Sequence, residues 1–239
     1  MKLFKKARKG FTLVELLTVI AIIGILAGLA MPAISMGIDQ ARRMTASNNL
    51  GQIAKAYVAY MQSGTRGDKT ISTKGSDAKK GQANSVADVA EIFARYVNLP
   101  DAEVWYIASD DNIQGEIPKT VLSEGDDGTN QLKDVKPISW AIVANAKKNP
   151  KSGKSSYPIA WLRGLQTSGE WSENAPFGKE AGYIAFADGS VRKYTNLLSE
   201  SDMLRSADGK QDTSNYQDAI GSNQGSGSGN PPEVLEDTI

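Results

Sequence analysis

The 239 residues carry 27 basic and 27 acidic side chains, no cysteine, no histidine and 40% apolar residues. That is enough chain for one ordinary domain plus an anchoring segment. The missing residue types exclude disulfide staples, His-dependent triads, cysteine nucleophiles and the usual zinc sites together, so any enzyme here would work with Asp, Glu, Lys, Ser or Tyr alone. Five of the 27 basic residues lie in the first nine positions, leaving 22 against 27 acidic groups beyond them. A balance of −5 disfavours nucleic acid, whose phosphates are met chiefly by Lys and Arg.

Residues 1–10 are short and basic, and residues 16–38 run twenty-three positions without a charge. A helix of that length, at about 1.5 Å per residue, crosses the hydrocarbon layer of about 30 Å. The basic cluster predicts a cytoplasmic N-terminus and a head on the far side of the membrane. A secretory signal peptide cut after Gly28-Leu29-Ala30 and a plain single-span anchor both fit the hydropathy. Neither accounts for Glu15, a carboxylate inside the apolar run, where a charge costs about 3 kcal/mol even on permissive insertion scales.

Gly10-Phe11-Thr12-Leu13-Val14-Glu15 resembles the prepilin processing motif of type IV pilins and type II secretion pseudopilins, and Gly24 and Pro32 match a glycine and a proline that recur in pilin stems. The resemblance implies cleavage between Gly10 and Phe11 by prepilin peptidase, N-methylation of Phe11, and assembly with other pilin or pseudopilin subunits on an inner-membrane platform. It implies a cytoplasmic-membrane protein whose head later stands in a periplasmic or cell-surface filament. The physical chemistry is consistent: a free ammonium on Phe11 and the Glu15 carboxylate of a neighbouring subunit would cancel in low dielectric, which sets a docking register. Gly24 and Gly28 form a small-xxx-small pair that lets helix backbones approach, and Pro32 removes a backbone donor, which kinks or loosens the stem.

Beyond Asp39 the pattern becomes one-sided. Ala46, Leu50, Ile53, Tyr57 and Tyr60 form a helical stripe, which predicts that the same helix continues to about Met61 and packs on the head. Residues 63–84 read as a polar loop, in which Arg66-Gly67-Asp68 is of a kind that arises by chance. Ser85–Val97 reads as a second helix with a capping-box-like start at Ser85 and Asp88. Strand-like runs follow at Val104–Ala108, Ile138–Ala144 and Pro158–Leu162. Two more flank Asp188-Gly189, predicting a hairpin with a type I′ turn.

Trp161-Leu162-Arg163-Gly164-Leu165, Gly169-Glu170-Trp171 and Ala185-Phe186-Ala187-Asp188-Gly189-Ser190-Val191 are similar to the C-terminal half of a group of large pilin-like proteins. One branch of that group has a histidine ten residues before the Asp-Gly pair, where this chain has Gly178. The expected fold is α+β and pilin-like: a long N-terminal transmembrane and amphipathic helix packed on a C-terminal antiparallel sheet. Its expected divisions are a leader (1–10), a membrane and filament-core helix (11–38), its amphipathic continuation (39–62), a head (63–205) and a polar, partly disordered tail (206–239).

No cofactor, metal or catalytic residue is expected. Asp110–Glu116 begins like a calcium-binding loop but has Val121 where the bidentate Glu belongs, and Glu124–Gly128 reads as an acidic turn. The expected role is a structural filament subunit, with a minor, tip-located subunit that grips a secreted protein, a surface or DNA as the alternative.

Overall fold

The computed structural model describes residues 11–64, 69–74, 77–125, 128–147, 149–222 and 230–237. Gly10, the Arg66-Gly67-Asp68 triplet, Asp126 and Asp127 of the acidic turn, and residues 223–229 of the tail lie outside them. The chain forms two compact units, Met1–Arg43 and Met44–Ile239, whose boundary falls inside helix α1 (Leu13–Gln62).

Within the second unit, α1 buries Ala46, Leu50, Ile53, Ala54, Ala56, Tyr57 and Tyr60, which contain the five positions of the sequence stripe. Helix α2 (Val86–Tyr96) starts where the Ser85 hydroxyl accepts the Asp88 N–H and the Asp88 carboxylate accepts the Asn84 N–H. It ends before Asn98, whose positive φ of 55° turns the chain toward Pro100. Tyr57 and Phe93 meet edge to face at 5.9 Å, and Phe93 leans on Trp105 at the same distance, so aromatic rings lock α1 to α2.

The sheet is antiparallel with five strands: β1 (Trp140–Ala144), β2 (Pro158–Leu162), β3 (Gly182–Phe186), β4 (Val191–Tyr194) and β7 (Glu233–Leu235), in the order β4-β3-β2-β1-β7. Every residue of β1, β2 and β3 is buried. A sheet with one wet face would alternate, so both faces are covered at these three central strands. Tyr57 of α1 donates its hydroxyl to the Val143 carbonyl at 2.5 Å, and Tyr216 packs on Trp161 at 5.1 Å. Tyr216 opens helix α3 (Tyr216–Ile220), capped by the Asn215 side chain.

The run Val104–Ala108 does not form the expected strand. Glu103–Trp105 is a 3-10 turn, started by the Asp101 carboxylate accepting the Glu103 N–H. Val104 to Ile107 are buried consecutively, and the Trp105 carbonyl and the Ile107 N–H bond to Ser139 and not to a ladder partner.

The tail also differs from expectation in its described part. Residues 204–222 hold the two-stranded pair β5 (Leu204–Arg205) and β6 (Asp212–Thr213) and then α3, while β7 joins the sheet on the free edge of β1 through Ile142↔Leu235 and Val143↔Val234. These elements are two to five residues long, too short to leave a hydrophobic period in the sequence.

Candidate assembly site

The first turn of α1 is built by Thr12 and Glu15. The Thr12 hydroxyl accepts the Glu15 N–H at 3.2 Å, while Glu15 Oε2 accepts the Thr12 N–H at 2.9 Å and the Thr12 hydroxyl at 2.7 Å. This is a capping box, in which two helix-end donors are satisfied reciprocally. Thr-x-x-Glu ahead of an apolar run is its sequence signature, legible but overlooked beside the charge. Among the described residues only Oε2 of the carboxylate is engaged. Phe11, next to the cap, is 78% exposed.

From there α1 presents an unbroken apolar surface: Leu13, Leu16, Leu17, Ile20, Ile23 and Leu26 are all exposed. Among the described residues α1 is the one helix long and apolar enough to cross a membrane. Gly24 and Gly28 have open space where a Cβ would stand. The helix continues through Pro32, whose missing N–H leaves the Gly28 carbonyl without its usual donor.

Asp188 and Gly189 belong to the second unit, with none of the residues above. They connect β3 to β4, but the turn is not the expected type I′. Gly189 has φ +85° while Asp188 is not at positive φ, and the Gly189 N–H reaches the Phe186 carbonyl at 2.8 Å. The loop is therefore three residues long, closed by a left-handed glycine, the next commonest hairpin connection. Burial acts to raise the Asp188 pKa, and hydrogen bonds from the Ser190 hydroxyl and N–H outweigh it, so the carboxyl is held below its ordinary value.

The other motifs of the C-terminal half work in packing. The Trp171 indole lies against Gly182 so closely that a Cβ there would collide with the ring, and its N–H is donated to the Tyr194 carbonyl. Arg163 forms a buried ion pair with Asp110 at 2.6 Å and donates to the Asn174 carbonyl. Asp110 also accepts from the Ser139 hydroxyl and from the N–H and amide of Asn112. Its oxygens thus face donors, the arrangement of a structural ion pair. Glu236 stands beside this pair and accepts the Gly164 N–H at 2.6 Å. Burial pushes its carboxyl up, against the lowering influence of that hydrogen bond and of Arg163. Among the described residues no group of three acidic side chains is placed to hold a metal.

Residues 5–31 match the family model of the prokaryotic N-terminal methylation motif, the signature of type IV pilins and pseudopilins. That motif and the long apolar helix fit a membrane-anchored protein, and the motif is one of structural subunits and not of an enzyme family. No curated protein and no solved structure matches the chain at a significant level.

Proposed function

We propose that this chain is a filament subunit, of either a type IV pilus-like fibre or a type II secretion pseudopilus, cut between Gly10 and Phe11 by prepilin peptidase and methylated on Phe11. The observation that carries the reading is the methylation motif over residues 5–31. Once cut, Phe11 bears an ammonium two residues before the start of α1. The Glu15 carboxylate keeps Oε1 for it on a neighbouring subunit while Oε2 holds the Thr12 cap. A subunit then docks where both charges are cancelled, because either one alone in hydrocarbon is costly. Gly24 and Gly28 give neighbouring helices room to approach, and the unpaired Gly28 carbonyl marks where the stem loosens.

The head outside the cytoplasmic membrane and delivery by an inner-membrane platform follow from the same reading. Shearing filaments from the native cell and identifying their constituents tests it. The chain as bulk constituent makes it a major subunit, a trace at filament ends makes it a tip protein that binds a further partner, and absence from all filaments overturns the proposal.

A further inference from the structure

At the C-terminal end of α1, a cavity of about 270 Å³ is lined by Tyr60, Lys69, Thr70, Lys79, Lys80, Gly81 and Tyr96. The two tyrosine rings stand 6.1 Å apart, tilted by 52°. The Lys69 ammonium lies over both, 4.9 Å from the Tyr96 centroid and 5.7 Å from that of Tyr60. The described residues around Lys79 and Lys80 are held by hydrogen bonds. Ser72 and Gly81 are joined by main-chain bonds, Ala83 bonds back to Ser72, and the Tyr96 hydroxyl donates to the Lys79 carbonyl at 2.5 Å. Gly81 sits at φ +71° beneath the Tyr60 hydroxyl, where any side chain would collide with it.

Charge singles the place out. The described residues from 69 to 82 carry Lys69, Lys74, Lys79 and Lys80 against Asp77 alone, in a chain that is otherwise acidic once the leader is set aside. Asp77 takes one of these lysines, Lys80, at 3.1 Å. The cluster therefore attracts anions where the rest of the head repels them.

We infer that this cavity is a binding site for an acidic saccharide, one carboxylate-bearing sugar ring of a longer glycan at a time. The lysines meet the carboxylate by charge-assisted hydrogen bonds. The Thr70 hydroxyl meets a sugar hydroxyl, and the exposed Tyr96 offers the apolar side of a ring its contact. The volume lies just under the roughly 300–1,000 Å³ of drug-sized ligand sites, which suits a single sugar unit. A nucleic acid fits less well, because beyond its first nine positions the chain carries 22 basic against 27 acidic residues. The inference rests on the head alone and holds for a major or a tip subunit.

Titration of the full chain in detergent with trigalacturonate, and with neutral maltotriose as control, tests it by calorimetry. Saturable binding of trigalacturonate but not maltotriose is expected, weakening as salt rises. Lys79→Ala should weaken it about tenfold with unchanged melting temperature, and Tyr96→Ala should weaken it too while lowering the melting temperature through the lost bond to the Lys79 carbonyl. Lys210→Ala, an exposed lysine elsewhere in the second unit, should have no effect. Equal binding of both trisaccharides, no binding of either, or equal loss in Lys210→Ala overturns the site. Displacement of trigalacturonate by a lower concentration of oligo-dT overturns the saccharide in favour of nucleic acid.

Discussion

Thr12 and Glu15 hold each other across the first turn of α1, the hydroxyl of one accepting the other's N–H and the carboxylate returning the bond. Glu15 thus has two separable properties, a capping acceptor and a charge. Glu15→Gln keeps the cap, since Gln serves the third helical position as well as Glu, and removes the charge. Thr12→Ala does the reverse, at about 1 kcal/mol of local helix stability. If charge sets the register, Glu15→Gln subunits enter the membrane and fail to enter filaments, while Thr12→Ala subunits assemble. Filament yield in the native host checks this. Wild-type yield from Glu15→Gln with loss in Thr12→Ala would make capping the operative role.

The buried Arg163–Asp110 pair predicts a sharp asymmetry between single and double substitutions. Arg163→Met leaves Asp110 charged and uncompensated, and should cost about 3–5 kcal/mol in denaturant unfolding. The double variant Asp110→Leu, Arg163→Met removes both charges and should lose less than Arg163→Met alone. A single variant as stable as the wild type would mean that the pair is not closed in solution.

Glu236 predicts a pH dependence of opposite sign to that of most carboxylates. Its folded pKa is raised above the ordinary value by burial, so the folded state holds the proton more tightly than the unfolded state. The stability tied to that proton is complete below about pH 4.5 and is lost as pH rises through the raised value. Gln at 236 still offers an oxygen to the Gly164 N–H, so Glu236→Gln should unfold with a flatter pH profile and gain on the wild type toward neutral pH. Melting temperatures across pH 4–8 check it, and a variant that falls further behind as pH rises would contradict the assignment.

Trp171 against Gly182 predicts that Gly182→Ala is destabilising even though a strand normally prefers a side chain to glycine. The added methyl meets the indole, and overpacking of this kind costs about 1–3 kcal/mol. Pairing it with Trp171→Leu should recover part of the loss, which thermal unfolding of the single and double variants would reveal.

What the sequence disclosed follows from range. The stripe from Ala46 to Tyr60 and the Ser85 cap are local patterns with a fixed period or spacing, β1 and β2 lie within apolar runs, and β3 and β4 are the strands flanking Asp188-Gly189. Val104–Ala108 misled because a consecutive apolar run signals burial without specifying a ladder. The Asp188-Gly189 pair signalled a hairpin but not its loop length, which the register of Ala185 with Val191 decides. Arg163 and Asp110 are 53 residues apart, and β7 meets β1 from the far end of the chain, so nothing local could announce either. At the assembly site the charge of Glu15 was plain, whereas its bond to Thr12 needed the helix start to be placed.

Processing at Gly10–Phe11 is the premise of the filament reading, and the intact mass of the mature protein from its native membrane measures it directly. The account predicts a chain that begins at Phe11 and carries one added methyl group. A mature chain beginning at Met31 would make the N-terminal segment a cleaved secretory signal, and an unmethylated chain beginning at Met1 would make it a plain anchor. Either would contradict the account.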